Sequence, residues 1–190
     1  KGTLNVTANV SNKANITQNI LKIASEGGLT TDLAKLVITQ EIENAGSMTL
    51  NINAQEVLNN GITGTGKLII TGGTLMNTIG KEISQAALNI NNGAGLTTDV
   101  AKLIISGSNI NNAGELTLSG NGTLANKLTD AGNLVLNGVG TIETLDTIAN
   151  EFNEIEVSAL KEIGNIITGA YLNSLSTITN LKIFPSVPDL

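Results

Sequence analysis

The residues able to do chemistry in this 190-residue chain are few and widely spaced. Sixteen carboxylates stand against ten lysines, with no histidine, cysteine, arginine or tryptophan. Covalent nucleophile-and-base pairs and thiolate or imidazole metal sites therefore have no side chains to draw on. Carboxylate chemistry remains open, since pairs of Asp or Glu cleave glycosidic bonds. Only Glu151, Glu154 and Glu156 cluster, and within Asn153-Glu-Ile-Glu-Val157 their alternation reads as the solvated face of a strand. Asp32 and Asp99 form a second set, each preceded by Thr-Thr and followed three residues later by Lys35 or Lys102. A calcium loop gathers several carboxylates into one short turn. One aspartate per unit reads instead as a turn in which Asp and Thr side chains bond backbone N–H groups, with lysine as neighbour.

The remaining polar patterns carry no more. Thr63-Gly-Thr65 and Thr177-Ile-Thr179 have the local form of an ice-binding row but do not recur at a repeat distance. Asn5-Val-Thr7, Asn15-Ile-Thr17 and Asn121-Gly-Thr123 match the N-glycosylation acceptor pattern, which a chain rich in Asn and Thr produces by chance. The expectation is a protein that is not an enzyme, with no catalytic residue, no cofactor-binding residue, no metal ligand and no cofactor.

The elements that position these residues are set by a duplication. Gly28-Leu-Thr-Thr-Asp-Leu-Ala-Lys-Leu-Val-Ile-Thr39 returns at an offset of 67 as Gly95-Leu-Thr-Thr-Asp-Val-Ala-Lys-Leu-Ile-Ile-Ser106. The changes, Leu33 to Val100, Val37 to Ile104 and Thr39 to Ser106, keep polarity and approximate shape. Asn44-Ala-Gly-Ser-Met-Thr-Leu50 pairs with Asn112-Ala-Gly-Glu-Leu-Thr-Leu118 at an offset of 68, and Gly66-Lys-Leu-Ile-Ile-Thr-Gly72 with Gly132-Asn-Leu-Val-Leu-Asn-Gly138 at 66. Gly73-Thr-Leu-Met76 matches Gly2-Thr-Leu-Asn5 at 71. Small length changes in loops with strands held in register explain the drift.

Within each unit the pattern has period two. The opening places Leu4, Val6, Ala8 and Val10 against Thr3, Asn5, Thr7 and Asn9, a half-buried strand. About three such segments per unit imply a coil of roughly 20 residues, the length of one turn of a β-helix. Asn60-Gly61, Asn92-Gly93, Asn121-Gly122 and Asn137-Gly138 supply turns that accept positive φ. Asn-Gly also closes hairpins, so an antiparallel sandwich or barrel is the competing architecture. The repeats and the scarcity of paired hairpin arms favour parallel coils.

Composition agrees. The chain is 41% hydrophobic but only 2% aromatic, with Phe152, Tyr171 and Phe184 all close to its C-terminal end. Leu, Ile, Val and Ala of similar size suit the narrow core of a solenoid. A net charge of −6 argues against nucleic acid, whose binding needs basic patches. No apolar run reaches the roughly 18–20 residues needed to span a bilayer, so no membrane insertion is expected. The chain opens at Lys1 rather than Met, as a mature product or an excerpt of something longer would.

From Thr141 the texture changes. Leu145, Ile148, Phe152 and Ile155, then Leu160, Ile163 and Ile166, fall at helical spacing, while Asn153–Val157 and Ser176–Ile183 read as strands. The segment 141–190 is expected to be an irregular continuation or cap of the solenoid formed by 1–140, with a short helix as the alternative. Phe184-Pro-Ser-Val-Pro-Asp-Leu190 should end strand pairing, because proline cannot donate to a ladder.

Gly114-Glu-Leu-Thr-Leu-Ser-Gly-Asn-Gly-Thr-Leu124, followed by Gly132-Asn-Leu-Val-Leu-Asn-Gly138, resembles the secreted β-helical passengers of bacterial autotransporters and filamentous-haemagglutinin-type adhesins. That resemblance covers most of 1–140, implies a right-handed β-helix on a bacterial cell surface, and carries over no binding residue. No membrane-barrel translocator or recognisable secretion domain accompanies it. The resulting expectation is an all-β, right-handed parallel β-solenoid of about nine coils with a less regular C-terminal part. Its expected function is a non-enzymatic extracellular or cell-surface structural or adhesive module. Its expected partners are itself, head to tail in filaments or within a longer parent chain, and glycans or host surfaces. A polysaccharide-processing β-helix enzyme and a viral tail-fibre segment are the alternative readings.

Overall fold

The computed structural model describes residues 2–137, 142–144 and 154–179. The chain divides into two compact units, Lys1–Ile148 and Ala149–Leu190.

The first unit is a β-solenoid of about seven turns, close to the nine that the sequence implies. Every strand pairing among the described residues is parallel. One six-stranded sheet stacks Thr3–Val6, Ile16–Ile23, Leu36–Asn44, Ile62–Thr63, Ile83–Gln85 and Leu103–Ile105. Here Ile42 faces Ile62, Ile62 faces Ile83 and Ile83 faces Leu103. Each turn therefore takes about 20 residues, the coil length implied by the strand pattern.

A ten-stranded sheet forks. Asn9–Asn12, Gly28–Asp32 and Ser47–Leu58 lead to Lys67–Asn77, a strand long enough to turn a corner. Its first half pairs with Ala87–Ile90 and its second half with Gly95–Asp99. The corner falls at Gly72, where φ is +87° and a side chain would strike the backbone of Ile52. Glycine alone meets both demands without strain.

Period two in the strands becomes columns in the core. Leu29, Met48, Leu68, Leu88 and Ile110 lie in register across five coils, all at most 2% exposed. A second column, Thr31, Leu50, Ile70, Ile90 and Asn112, is equally buried. Each fully buried Leu or Ile contributes about 1.5–3 kcal/mol relative to exposure. Parallel ladders supply the backbone partners that such a stack requires.

The duplicated segments do not stack on one another. Gly28 belongs to the column Ser47, Lys67, Ala87, whereas Gly95 pairs with Thr74, seven positions further along the same strand. An offset of 67 exceeds three coils of about 20 residues each, so the second copy lands beyond the corner on the next stretch of sheet. Both copies keep the same local form, a strand followed by a single 3-10 turn, Leu33–Lys35 and Val100–Lys102.

The second unit differs from the expected coils. Glu154–Thr179 is one α-helix, α1, which takes in 154–157 and 176–179 of the two segments that read as strands; 153 and 180–183 lie outside the described residues. Its residues include the helix formers Ala159, Leu160, Lys161 and Glu162, and its aliphatic residues recur three and four apart over many turns. Short alternations such as Glu-Ile-Glu-Val mimic a strand only within a window of a few positions. Leu145, Ile148, Glu151, Phe152 and the stretch from Phe184 to Leu190 lie outside the described residues.

Candidate functional site

Among the described residues no three His, Cys, Asp or Glu side chains converge as a metal site would require. Asp32 Oδ2 accepts from Lys35 Nζ at 2.7 Å and Oδ1 accepts from Asn51 Nδ2 at 3.2 Å. Those bonds, the lysine first, hold its carboxyl below the usual carboxylate range despite an opposing contribution from desolvation. Asp99, its copy, accepts instead from the backbone N–H of Ala101 at 2.9 Å. Of the two, only Asp99 bonds a backbone N–H of its 3-10 segment as the sequence implies; Asp32 makes no such cap bond and meets the side chains of Lys35 and Asn51 instead. Thr63 and Thr65 sit at a bend of the solenoid surface, and Thr177 Oγ1 donates to the Asn173 carbonyl one helical turn back. Glu154 and Glu156, with Ile155 between them, belong to α1 rather than to a strand.

The helix α1 carries a further candidate group. Glu162 is exposed on it, and no charged residue follows until Lys182. Downstream, Ile167 and Tyr171 are each 65% exposed and Ile178 is 80% exposed, four and seven positions apart on one helical face. Leu172, Leu175 and Ser176 are half-buried. Glu162 lies roughly 140–180° round the helix from Ile167, Tyr171 and Ile178, on the face where Ile166, four positions further on, is 61% exposed. No helix among the described residues is long and apolar enough to cross a membrane.

The chain joins a parallel β-solenoid to a helical unit, and the family match falls on the latter. The model of the CheC-like family matches residues 155–190. Over 33 residues the chain is 52% identical to the CheY-P phosphatase CheC of Bacillus subtilis, a match covering 17% of this chain and 16% of that protein. No solved structure matches the chain.

This similarity overturns the expected function. The surface or adhesive module, its filament-forming version, the polysaccharide-processing enzyme and the tail-fibre segment were all inferred from the style of the solenoid. The similarity instead suggests a chemotaxis-related role, and the family match lies outside the repetitive part of the chain. A solenoid specifies a scaffold, and many functions share one scaffold. Glu162 stands outside the acidic cluster of Glu151, Glu154 and Glu156 and is not marked by it. The available signal was the helical spacing of Leu160, Ile163, Ile166 and Ile167 around it.

Proposed function

We propose that the helical unit acts on a phosphorylated signalling protein of the CheY kind, promoting loss of its phosphate in a chemotaxis-related pathway. The observation that supports this most directly is the 52% identity over 33 residues to a protein named as a CheY-P phosphatase. The family match runs along α1 from residue 155 and includes the exposed Glu162.

The chemistry is simple to state. A water oxygen bonds to phosphorus, the bond from phosphorus to the phosphorylated side chain breaks, and inorganic phosphate leaves. Catalysis of such a step is mostly positioning of the water in line with the leaving group. In this reading the Glu162 carboxylate accepts a hydrogen bond from that water and orients it, while Ile166, one turn further on the same face, docks the helix on the substrate protein. Ile166 provides affinity and the carboxylate provides chemistry.

Binding of the full chain to immobilised CheY, before and after phosphorylation by a small-molecule phosphodonor, tests the reading. The phosphorylated form should bind about tenfold more tightly, and Ile166→Glu should weaken both. Equal binding to the two forms, or none to either, would contradict it.

A further inference from the structure

The solenoid carries a groove of about 570 Å³ on its outer surface, within the roughly 300–1,000 Å³ of small-molecule sites. Strand register builds it. Asn5, Lys22, Glu43 and Thr63 align across four coils and form one wall. The next residues, Val6, Ile23 and Asn44, point inward and are buried. The chain then bends, and Thr7, Ala24, Ala45 and Thr65 line the far side. The two middle coils carry alanine there, and this leaves the open volume. Ala24 N donates to Val6 O and Ala45 N to Ile23 O, both at 2.9 Å, so the backbone floor is held by the ladder itself.

The lining selects a ligand class. Lys22 Nζ lies 2.7 Å from Glu43 Oε2, and the two side chains remain 45% and 40% exposed. The pair is neutral overall, yet the ammonium keeps spare donors and the carboxylate spare acceptors. An anion entering the groove meets Glu43, and a cation meets Lys22. The threonine hydroxyls donate and accept equally well, and the alanine methyls offer a small apolar surface. Polar edges around an apolar strip, without net charge, match the outline of a pyranose ring, whose hydroxyls lie at its rim and whose C–H bonds form its faces.

We propose that this groove binds a neutral saccharide. The binding is weak, since the groove's lining residues include no aromatic ring for a sugar face to stack on, and it is independent of the action assigned to α1.

Amide chemical-shift titration of the ¹⁵N-labelled full chain tests it, with cellotriose, maltotriose and mannotriose as probes and sodium phosphate and glycine as charged controls. At least one trisaccharide should give saturable shifts confined to Ala24, Ala45, Thr65 and their neighbours, half-complete at millimolar concentration, with none from phosphate or glycine. Ala45→Leu, which fills the groove, should abolish them. Glu43→Gln, a change at a partly exposed position that leaves the fold intact, should weaken them several-fold. The proposal fails if no trisaccharide gives saturable shifts, if phosphate or glycine shifts the same amides, or if Glu43→Gln binds as the wild type does.

Discussion

Asp32 and Asp99 occupy copies of one tetrapeptide, yet their surroundings differ both in the bond made to the following turn, Lys35 Nζ against Ala101 N–H, and in the neighbour on the next coil. Asp32 faces Asn51, whose amide reaches its carboxylate, whereas Asp99 faces the shorter Ser119. The fold favours the ionised form of Asp32, first through Lys35 and then through Asn51. A lowered pKa in the folded state adds stability at pH values above the ordinary aspartate value of about 3.9, and that stability is lost as pH falls through the lower folded value. Urea unfolding between about pH 5 and pH 3 should therefore show a falling midpoint in the wild type and a flatter one in Asp32→Asn. The group is well exposed, so the difference will be small. Identical pH dependence in both proteins would show that the Lys35 and Asn51 contacts are not felt in solution.

The strand columns are the element on which the solenoid rests, and their weak points are where polar groups enter the core. Asn44 and Gln85, at most 1% exposed, sit two coils apart and meet directly, Asn44 Nδ2 donating to Gln85 Oε1 at 2.6 Å. They meet because the coil between them places Gly64 at that point, with φ of +130° and no room for a Cβ against the Asn44 backbone. Gly64→Ala should destabilise the protein by about 1–3 kcal/mol, read from the urea midpoint. Leu68→Ala, which opens a cavity in the middle of a column that is fully buried, should destabilise it by about 2–5 kcal/mol. A Gly64→Ala variant as stable as wild type would mean that the Asn44–Gln85 bridge does not depend on the missing side chain.

These elements are legible to different degrees. The alternation in Ser47-Met-Thr-Leu-Asn-Ile52 marks both the strand and the side that is buried, and Met48, Leu50 and Ile52 are indeed in the core. The doublet Gly72-Gly73 marks a break in a strand pattern, but nothing local tells which strand pairs on each side of it. Pairing depends on the ratio of repeat to coil, and an offset of 67 on coils of about 20 residues moves the copy round the corner. The helix is hidden by its β-branched residues, since Ile155, Val157, Ile163, Ile166 and Ile167 favour strands locally while the whole 26-residue segment favours a helix.

At the scale of the whole molecule, most of the residues build the solenoid and the functional signal lies in the smaller unit. The scaffold is readable because its information is periodic and repeated many times. Glu162 is not, because one exposed carboxylate on one helix leaves no periodic trace. The most direct test of the proposed function is the rate of phosphate release from phosphorylated CheY with and without the full chain, repeated with Glu162→Gln. The proposal predicts faster release with the wild type and about a tenfold or greater loss of that acceleration in the variant. A rate equal to spontaneous decay with the wild-type chain, or an acceleration unchanged by Glu162→Gln, would contradict it.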